Sequence, residues 1–247
     1  QDLTVYGMDT YGRPKLMELL DALESSLPHD LWIRLLYLHP SRVTETLLER
    51  VSKGSQILPY LDIPVQHGDA RILKSMNRGI SDEELLTIFT TARSINPDFA
   101  LRTTCMVGFP GEKKSHFDKM MDFVSKAKFD RMGAFTFFAE EDTLAYEMGN
   151  QVSDKIKEKR LAALMALQSE ISFERQQLFV GREMDVLIER VSHDEGFAEG
   201  RSFREAPEVD GIIEIRNICA DLKEGDIIRV KMTEAMPHDM AGEEVIK

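Results

Sequence analysis

The sequence contains only two cysteines, Cys105 and Cys219, and they lie far apart. Two distant thiols exclude a disulfide framework, and they are too few to hold zinc or an iron–sulfur cluster. Each cysteine lies in an apolar stretch that is typical of a β-strand. We therefore expect two buried thiols in a reducing compartment, the cytoplasm.

Long hydrophobic runs are also missing. No stretch approaches the ~18 uninterrupted apolar residues of a membrane span, so none is expected. The first residues, Gln1–Tyr6, have neither the basic nor the apolar segment of a signal peptide. They do not begin with methionine and already have the composition of a strand. We therefore expect a fragment of a longer protein, with a further strand before Gln1.

Positive charge is scarce. The chain has 31 Lys and Arg against 43 Asp and Glu, a net charge of −12. A protein that binds nucleic acid non-specifically needs clustered cations to displace counterions, which argues against that class. Residues 181–247 hold nine basic and seventeen acidic residues, a net charge of −8. This acidic segment would attract a basic protein partner; the alternative is that the charge serves only solubility.

The first 152 residues alternate β-rich runs with amphipathic helical patterns, which predicts a parallel sheet with right-handed crossovers. Five β/α units are too few to close an eight-stranded barrel. We therefore predict the α/β class, as an open, partial TIM-like barrel over residues 1–152. The predicted strands are Leu3–Gly7, Trp32–Leu38, Tyr60–Val65, Ala100–Val107 and Arg131–Phe138. The predicted helices are Lys15–Ser25, Val43–Ser52, Ala70–Met76, Glu83–Ser94 and Ser115–Lys126.

The remaining sequence predicts a linking helix and a second, all-β domain. Residues 153–180 contain a long charged helix, Asp154–Phe179, with an apolar stripe that includes Ile156, Leu164 and Ile171. From residue 181 to 247, short strands follow one another without helices, which predicts a small five-stranded, OB-like barrel. These strands are Met184–Ile188, Phe197–Arg201, Gly211–Ile215, Asp226–Met232 and Glu243–Ile246.

Polar and glycine residues follow the predicted strands, where ligands bind in parallel α/β folds. Gly108, Phe109, Pro110, Gly111 and Glu112 form a tight turn that lets a ligand approach the backbone, although such a turn is often only a turn. Arg102 within its strand needs a charged partner, either a ligand carboxylate or an internal salt bridge.

Gln66 and His67 follow another strand. Gln66 is suited to bind ribose hydroxyls. His67 is either a proton carrier or a hydrogen-bonded structural histidine. The sequence shows no catalytic triad, no histidine cluster with metal-binding spacing and no phosphate-binding loop.

Several stretches, taken in order, resemble the methylthiotransferase branch of the radical S-adenosylmethionine superfamily. They span nearly the whole chain: YGMDTYGRPKLMELL, LHPSRVTETLLERV, ILPYLDIPVQHGDARILKSMNRG, LRTTCMVGFPGE and GRSFREAPEVDG. His67 and the stretch APEVDG are similar to the branch that modifies an aspartate of the twelfth small-subunit ribosomal protein. The C-terminal segment resembles a TRAM domain, in the acidic form suited to a basic protein.

The resemblance implies a site and a set of cofactors. The Gly108–Glu112 turn would lie against the adenine of S-adenosylmethionine, Gln66 near the ribose and Arg102 near the methionyl carboxylate, with His67 also counted among the cofactor-binding residues. Two 4Fe–4S clusters are implied for the full-length enzyme, but the family's cluster-binding cysteine motif is absent from this sequence. We therefore expect no cluster on this chain, no activity by itself, and cluster ligands that lie before Gln1.

Two other functions stay open. A tRNA adenosine methylthiotransferase would share nearly every barrel motif, but it is disfavoured by His67, APEVDG and the acidic tail. A non-catalytic adaptor, which docks through its tail, belongs to a different class. The sequence upstream of Gln1 would decide, since an adaptor would lack the cluster motif.

Overall fold

The computed structural model of the chain describes residues 2–245. The chain divides into two compact units, Gln1–Gln168 and Ser169–Lys247. Within the described residues, no helix combines the length and the apolarity that a membrane crossing requires.

The first unit is built on a parallel sheet of four strands in the order β1-β2-β3-β4. Because parallel neighbours follow one another in the sequence, right-handed crossovers place their helices on one face, as in a β/α barrel. The predicted open partial barrel is thus confirmed. The strands are β1 (Ile33–Leu35), β2 (Ile57–Asp62), β3 (Ala100–Val107) and β4 (Arg131–Thr136). The helices are α1 (Met8–Tyr11), α2 (Leu16–Ser26), α3 (Glu45–Lys53), α4 (Ala70–Ser75), α5 (Asp82–Ile95), α6 (Lys114–Ala127) and α7 (Leu144–Glu147).

The predicted strand Leu3–Gly7 is wrong. Leu3–Val5 forms a 3-10 turn, because the Asp2 carboxylate accepts the Thr4 backbone N–H at 2.9 Å. Such a local bond offers the backbone an alternative to a strand ladder. Gly7 then adopts a φ of 86° and α1 begins at the next residue. The sheet within the described residues therefore has four strands, not the five that were predicted.

The other elements of this unit lie close to their predicted positions. Strand β3 has its predicted bounds, and its side chains alternate in burial. Strand β1 is shorter than Trp32–Leu38, and beyond it Tyr37 has a positive φ of 59°, which is not extended backbone. Beneath the sheet, Phe89 contacts Phe129 edge to face, with ring centroids 4.8 Å apart.

The long predicted helix is α8, Asp154–Gln177. Leu164 and Ile171 of its apolar stripe are buried, as predicted. Ile156 is 45% exposed, so its assignment to the buried stripe was wrong, whereas the neighbouring Lys157 is buried. The buried face at the start of α8 is therefore rotated by one residue.

The second unit contains a closed five-stranded barrel in the order β5-β6-β7-β9-β8, as predicted. Its core is formed by inward-facing aliphatic residues such as Val186, Ile213, Ile215 and Val230. The strands are β5 (Glu183–Ser192), β6 (Phe197–Arg201), β7 (Ile213–Arg216), β8 (Ile227–Ala235) and β9 (Met240–Glu244).

Two predictions for this unit need correction. The last strand begins at Met240, three residues before the predicted Glu243, and ends at Glu244. The predicted end of that strand, Ile246, lies outside the described residues. Cys219 is half-buried in the loop after β7 rather than in a strand, and its backbone N–H donates to Glu244.

Candidate functional site

Two adjoining clefts lie at the carboxyl ends of the strands in the first unit. The polar cleft has a volume of about 270 Å³ and is lined by Asp2, Tyr37, Leu38, His39, Pro64, Gln66, Arg78 and Thr104. The apolar cleft has a volume of about 350 Å³ and is lined by Gln66, Ser75, Met76, Asn77, Arg78, Met106, Phe109, Leu144, Ala145 and Met148. Gln66 and Arg78 belong to both linings. Together the clefts have the size of a small-molecule site, ~300–1,000 Å³.

Gln66 follows β2 and pairs with β3 through two backbone hydrogen bonds. Its backbone N–H donates to Thr104 at 2.9 Å, and its carbonyl accepts from Met106 at 2.7 Å. Gln66 has a φ of 70°, a conformation that is uncommon for residues other than glycine and recurs at functional sites. Its side-chain amide has no hydrogen-bond partner within residues 2–245, so it is available to a ligand. The structure thus brings Gln66 to the clefts, where the sequence expected a ligand.

The side chain of Glu112, the last residue of the Gly108–Glu112 turn, holds the turn in place through hydrogen bonds. The buried Glu112 carboxylate accepts the Gly108 backbone N–H at 2.6 Å and bonds Arg160 of α8 at 2.7 Å. Burial raises the pKa of Glu112, but the nearby His67, the Gly108 amide and Arg160 together hold it below its ordinary value. In this turn, Phe109 lines the apolar cleft, whereas Glu112 lies inside and holds the turn in place.

His67 is fully buried beside this turn. Its Nδ1 accepts the Asp69 backbone N–H at 3.0 Å, so Nδ1 carries no proton and Nε2 carries one. Nε2 lies 3.5 Å from Glu112 Oε2 and forms no hydrogen bond within the described residues. His67 is thus buried behind the turn, with one ring nitrogen bonded and the other facing a carboxylate.

Arg102 forms an internal salt bridge. Its Nη1 lies 3.0 Å from Asp62 Oδ1 on the neighbouring strand, and the other Asp62 oxygen accepts the Tyr37 backbone N–H. The sequence left two partners open for Arg102, a ligand carboxylate or an internal salt bridge. In the structure the partner is the Asp62 carboxylate. A ligand carboxylate at Arg102 would have to compete with Asp62.

Two further residues line the clefts: His39, which follows a strand as the sequence suggested, and Arg78, which was not predicted. His39 follows β1, and its Nδ1 lies 2.8 Å from Ser41 Oγ. Burial and the nearby Arg78 lower the pKa of His39, so the imidazole is neutral at neutral pH. The sequence signal that could have identified Arg78 is the Asn-Arg-Gly segment, residues 77–79, which marks the end of α4. The chain turns there, so a basic residue in this segment can lie near the strand ends.

The stretch GRSFREAPEVDG, residues 200–211, lies in the second unit and is mostly buried there. The buried Glu205 carboxylate accepts both the backbone N–H and the hydroxyl of Ser202, at 3.0 and 2.6 Å. The guanidinium of Arg204, also buried, lies 3.7 Å from the Phe179 ring centroid. This stretch therefore builds a loop of the barrel unit, and only its tip, Pro207–Val209, is exposed.

Two segments of the barrel unit, joined by one hydrogen bond, carry exposed acidic side chains. The His193 side chain bonds the Leu222 carbonyl at 3.1 Å, which ties the β5–β6 turn to the loop before β8. The turn carries Asp194 and Glu195, and the loop carries Asp221 and Glu224 with Lys223 between them, all exposed. Within residues 2–245 none of these four carboxylates forms an ion pair. We call them the acidic end.

These features define the class of protein: a partial β/α barrel with two clefts at its strand ends, followed by a small β-barrel. The model of the radical SAM superfamily matches residues 1–124, and that of the TRAM domain matches residues 180–245. The chain belongs to the radical SAM superfamily and carries a TRAM domain. The resemblance found in the sequence is confirmed at this level.

Two relatives and one solved structure extend the comparison. The ribosomal protein uS12 methylthiotransferase RimO of Carboxydothermus hydrogenoformans is 41% identical over 98% of this chain and 55% of its own length. The protein of the same name from Pseudothermotoga lettingae is 42% identical over 98% of this chain and 56% of its own length. The chain thus spans about half the length of the curated relatives it matches. The radical SAM enzyme coproporphyrinogen III oxidase (HemN) of Escherichia coli shares the fold, with a TM-score of 0.53 at 17% identity, over 63% of this chain and 36% of its own.

Proposed function

We propose that the chain is the S-adenosylmethionine-binding and substrate-recognition part of a methylthiotransferase that modifies an aspartate β-carbon of ribosomal protein uS12. The observation that carries the proposal is the pair of clefts at the strand ends, which meet at Gln66 and Arg78 in a radical SAM fold. The names of the two relatives support the substrate.

The apolar cleft suits the adenine, since Phe109 and methionines offer flat, polarisable surfaces beside the Gly108–Glu112 turn. Gln66, at the junction with the polar cleft, suits the ribose hydroxyls. Arg102 near the methionyl carboxylate stays part of this proposal. Wild-type affinity for S-adenosylmethionine in an intact Arg102→Ala protein would remove that assignment.

The iron–sulfur clusters do not fit the residues of this chain. Burial raises the pKa of the Cys105 thiol to about 12, so it is not a thiolate at neutral pH. Among residues 2–245, no three His, Cys, Asp or Glu side chains come together as metal ligands. Clusters held outside this chain would supply the electron chemistry in the intact enzyme. This chain's part is to bind and orient the reactants.

The acidic end of the TRAM domain is the proposed contact for the basic uS12 protein. A field of unpaired carboxylates speeds association with a cationic partner and loses strength in salt. Charge reversal by Glu224→Lys should therefore weaken uS12 binding, more at low salt than at high salt. Glu158→Lys makes the same charge change on an exposed residue of α8 and is the matched control.

The function is tested in a strain that lacks the methylthiotransferase gene. The intact gene that encodes this chain is restored, and uS12 and total tRNA are analysed by mass spectrometry. The proposal expects a methylthio group on a uS12 aspartate and no change in tRNA. A methylthioadenosine in tRNA with unmodified uS12 would favour the tRNA enzyme, and no modification of either would favour the adaptor.

A further inference from the structure

The segment that follows β4, residues 137–150, forms one side of the apolar cleft. Its residues Leu144, Ala145 and Met148 line the cleft, together with Phe109 of the neighbouring turn. We call residues 137–150 the cleft lip. A polypeptide that inserts one side chain into a cleft of about 350 Å³ must lay its adjacent residues on the surface around it, and the cleft lip is part of that surface.

The cleft lip is anchored at both ends on the Gly108–Glu112 turn. At its start, the Phe137 ring packs edge to face against Phe109, with ring centroids 5.3 Å apart. At its other end, the Asn150 carbonyl accepts the Gly111 backbone N–H at 2.9 Å. The lip is therefore held in position beside the cleft. A surface that is ordered before it binds saves its partner part of the entropic cost of association.

Two large apolar side chains of the cleft lip face solvent. Phe138 is 78% exposed and Leu144 is 82% exposed, more than any other large apolar side chain in residues 2–245. They lie on either side of a turn in which the Thr143 hydroxyl donates to the Glu140 carbonyl at 2.7 Å. A single exposed apolar residue is ordinary, but two at the border of a cleft indicate a contact surface.

The charges between these two apolar residues are all negative. Glu140, Glu141 and Asp142 are exposed, and within residues 2–245 none of them forms an ion pair. Residues 137–150 contain no lysine or arginine. Unpaired carboxylates beside apolar side chains complement a polypeptide that carries both apolar and basic residues. The same charges repel the phosphate backbone of RNA.

From these features we propose that the cleft lip is the docking surface for the segment of uS12 that flanks the modified aspartate. The proposal rests on the proposed function, because the aspartate must then reach a cofactor in the clefts and its neighbours must cross the lip. Phe138 and Leu144 contact apolar side chains of that segment, and the three carboxylates attract its lysines and arginines. This surface belongs to the first unit, whereas the acidic end belongs to the second.

The first test identifies what covers the lip in the intact protein with its clusters installed. Phe138 is replaced by the photo-crosslinking residue p-benzoylphenylalanine, and the protein is irradiated with uS12 and total tRNA present. Phe173, 39% exposed on α8, is replaced in the same way as the control. The proposal expects position 138, and not position 173, to link to uS12 beside the modified aspartate. A link from position 138 to the protein's own chain, to a second copy or to tRNA, without a link to uS12, overturns it.

The second test measures equilibrium binding of uS12 and of S-adenosylhomocysteine to intact variants. Glu141→Lys should weaken uS12 binding about tenfold at low salt and less at high salt, because salt screens exposed charges. Phe138→Ser should weaken it about fivefold at either salt concentration, as loss of an apolar contact does. The matched controls, Glu158→Lys and Phe173→Ser, make the same changes on exposed residues of α8 and should bind uS12 as wild type does.

The cofactor separates a docking defect from a folding defect. Both lip variants should bind S-adenosylhomocysteine at wild-type strength, and in turnover they should raise the KM for uS12 while kcat stays the same. If the wild-type protein binds neither S-adenosylhomocysteine nor uS12, the proposed function fails, and the docking surface fails with it. If wild type modifies uS12 and both lip variants bind it equally well at low salt, only the docking surface is overturned.

Discussion

Lys157 of α8 packs directly against the α-carbon of Gly108, so that a Cβ added there would lie 2.3 Å from Lys157 Cγ. Gly108 also has a φ of 79°. Gly108 is therefore required for two reasons: its backbone is left-handed, and Lys157 leaves no room for a side chain. Gly111 has a similar φ of 83°, but nothing lies within 4 Å of an added Cβ.

This contrast predicts different costs for two otherwise equal substitutions. Gly111→Ala should lower the free energy of unfolding by about 1 kcal/mol, the cost of left-handed backbone. Gly108→Ala should lower it by about 2–4 kcal/mol, because Lys157 must also move. Urea unfolding of the two variants measures the difference. Equal losses would mean that Lys157 yields at no cost.

Glu112 predicts a second effect on stability. Glu112→Gln leaves Arg160, whose side chain is 11% exposed, without its carboxylate partner. The expected loss is about 2–4 kcal/mol, as for a broken buried pair with some solvent access. Asp118→Asn breaks the exposed pair with Lys114 and should cost less than about 0.5 kcal/mol. Similar values for the two variants in urea unfolding would contradict the role given to Glu112.

The lowered pKa of Glu112 predicts how this contribution depends on pH. A carboxyl whose folded-state pKa lies below its unfolded value stabilises the protein fully above the unfolded value, here about 4.5. That stability is lost as pH falls through the lower folded-state pKa. The gap in unfolding free energy between wild type and Glu112→Gln should therefore be constant near neutral pH and shrink below about pH 4.5. A gap that widens on acidification would reverse the assigned direction.

Adjacent residues of the barrel test its core. Ile213 is fully buried and Ile212 is 39% exposed. Ile213→Ala should destabilise the barrel unit by about 2–4 kcal/mol, since a buried side chain leaves a cavity, and Ile212→Ala by about 1 kcal/mol or less. Thermal unfolding followed by circular dichroism separates the two. A larger loss of stability for Ile212→Ala than for Ile213→Ala would contradict the assignment of Ile213 to the barrel core.

The sequence predicted the elements whose pattern is carried by many residues. The strand Ala100–Val107 and the C-terminal run of short strands each depend on several side chains. The strand has its predicted bounds and the run forms the predicted five-stranded barrel. Leu3–Gly7 failed because one carboxylate, Asp2, redirects the backbone to a 3-10 turn. A single hydrogen bond of that kind leaves no periodic signal in the sequence.

The candidate site shows the same division. Gln66 and Phe109 line the clefts, as their positions after strands suggested. His67 and Glu112, also predicted to bind the cofactor, are both buried, with His67 Nε2 3.5 Å from Glu112 Oε2. Sequence position identifies the end of a strand, whereas the direction of a side chain there depends on backbone angles such as the positive φ of Gln66. Arg78 was missed because its place depends on how a helix ends.

The end of α4 therefore gives the last prediction. Asn77 has a φ of 57°, which glycine adopts without cost and a β-branched residue avoids. The Asn77 N–H donates to the Lys74 carbonyl and the Arg78 N–H to the Leu73 carbonyl, a pair of bonds that forms a Schellman motif. Asn77→Gly should keep this motif and wild-type affinity for S-adenosylhomocysteine in the intact protein. Asn77→Val should distort the motif, displace Arg78 from the clefts and weaken that affinity several-fold in equilibrium binding. If both variants bind S-adenosylhomocysteine alike, the end of α4 does not set the position of Arg78.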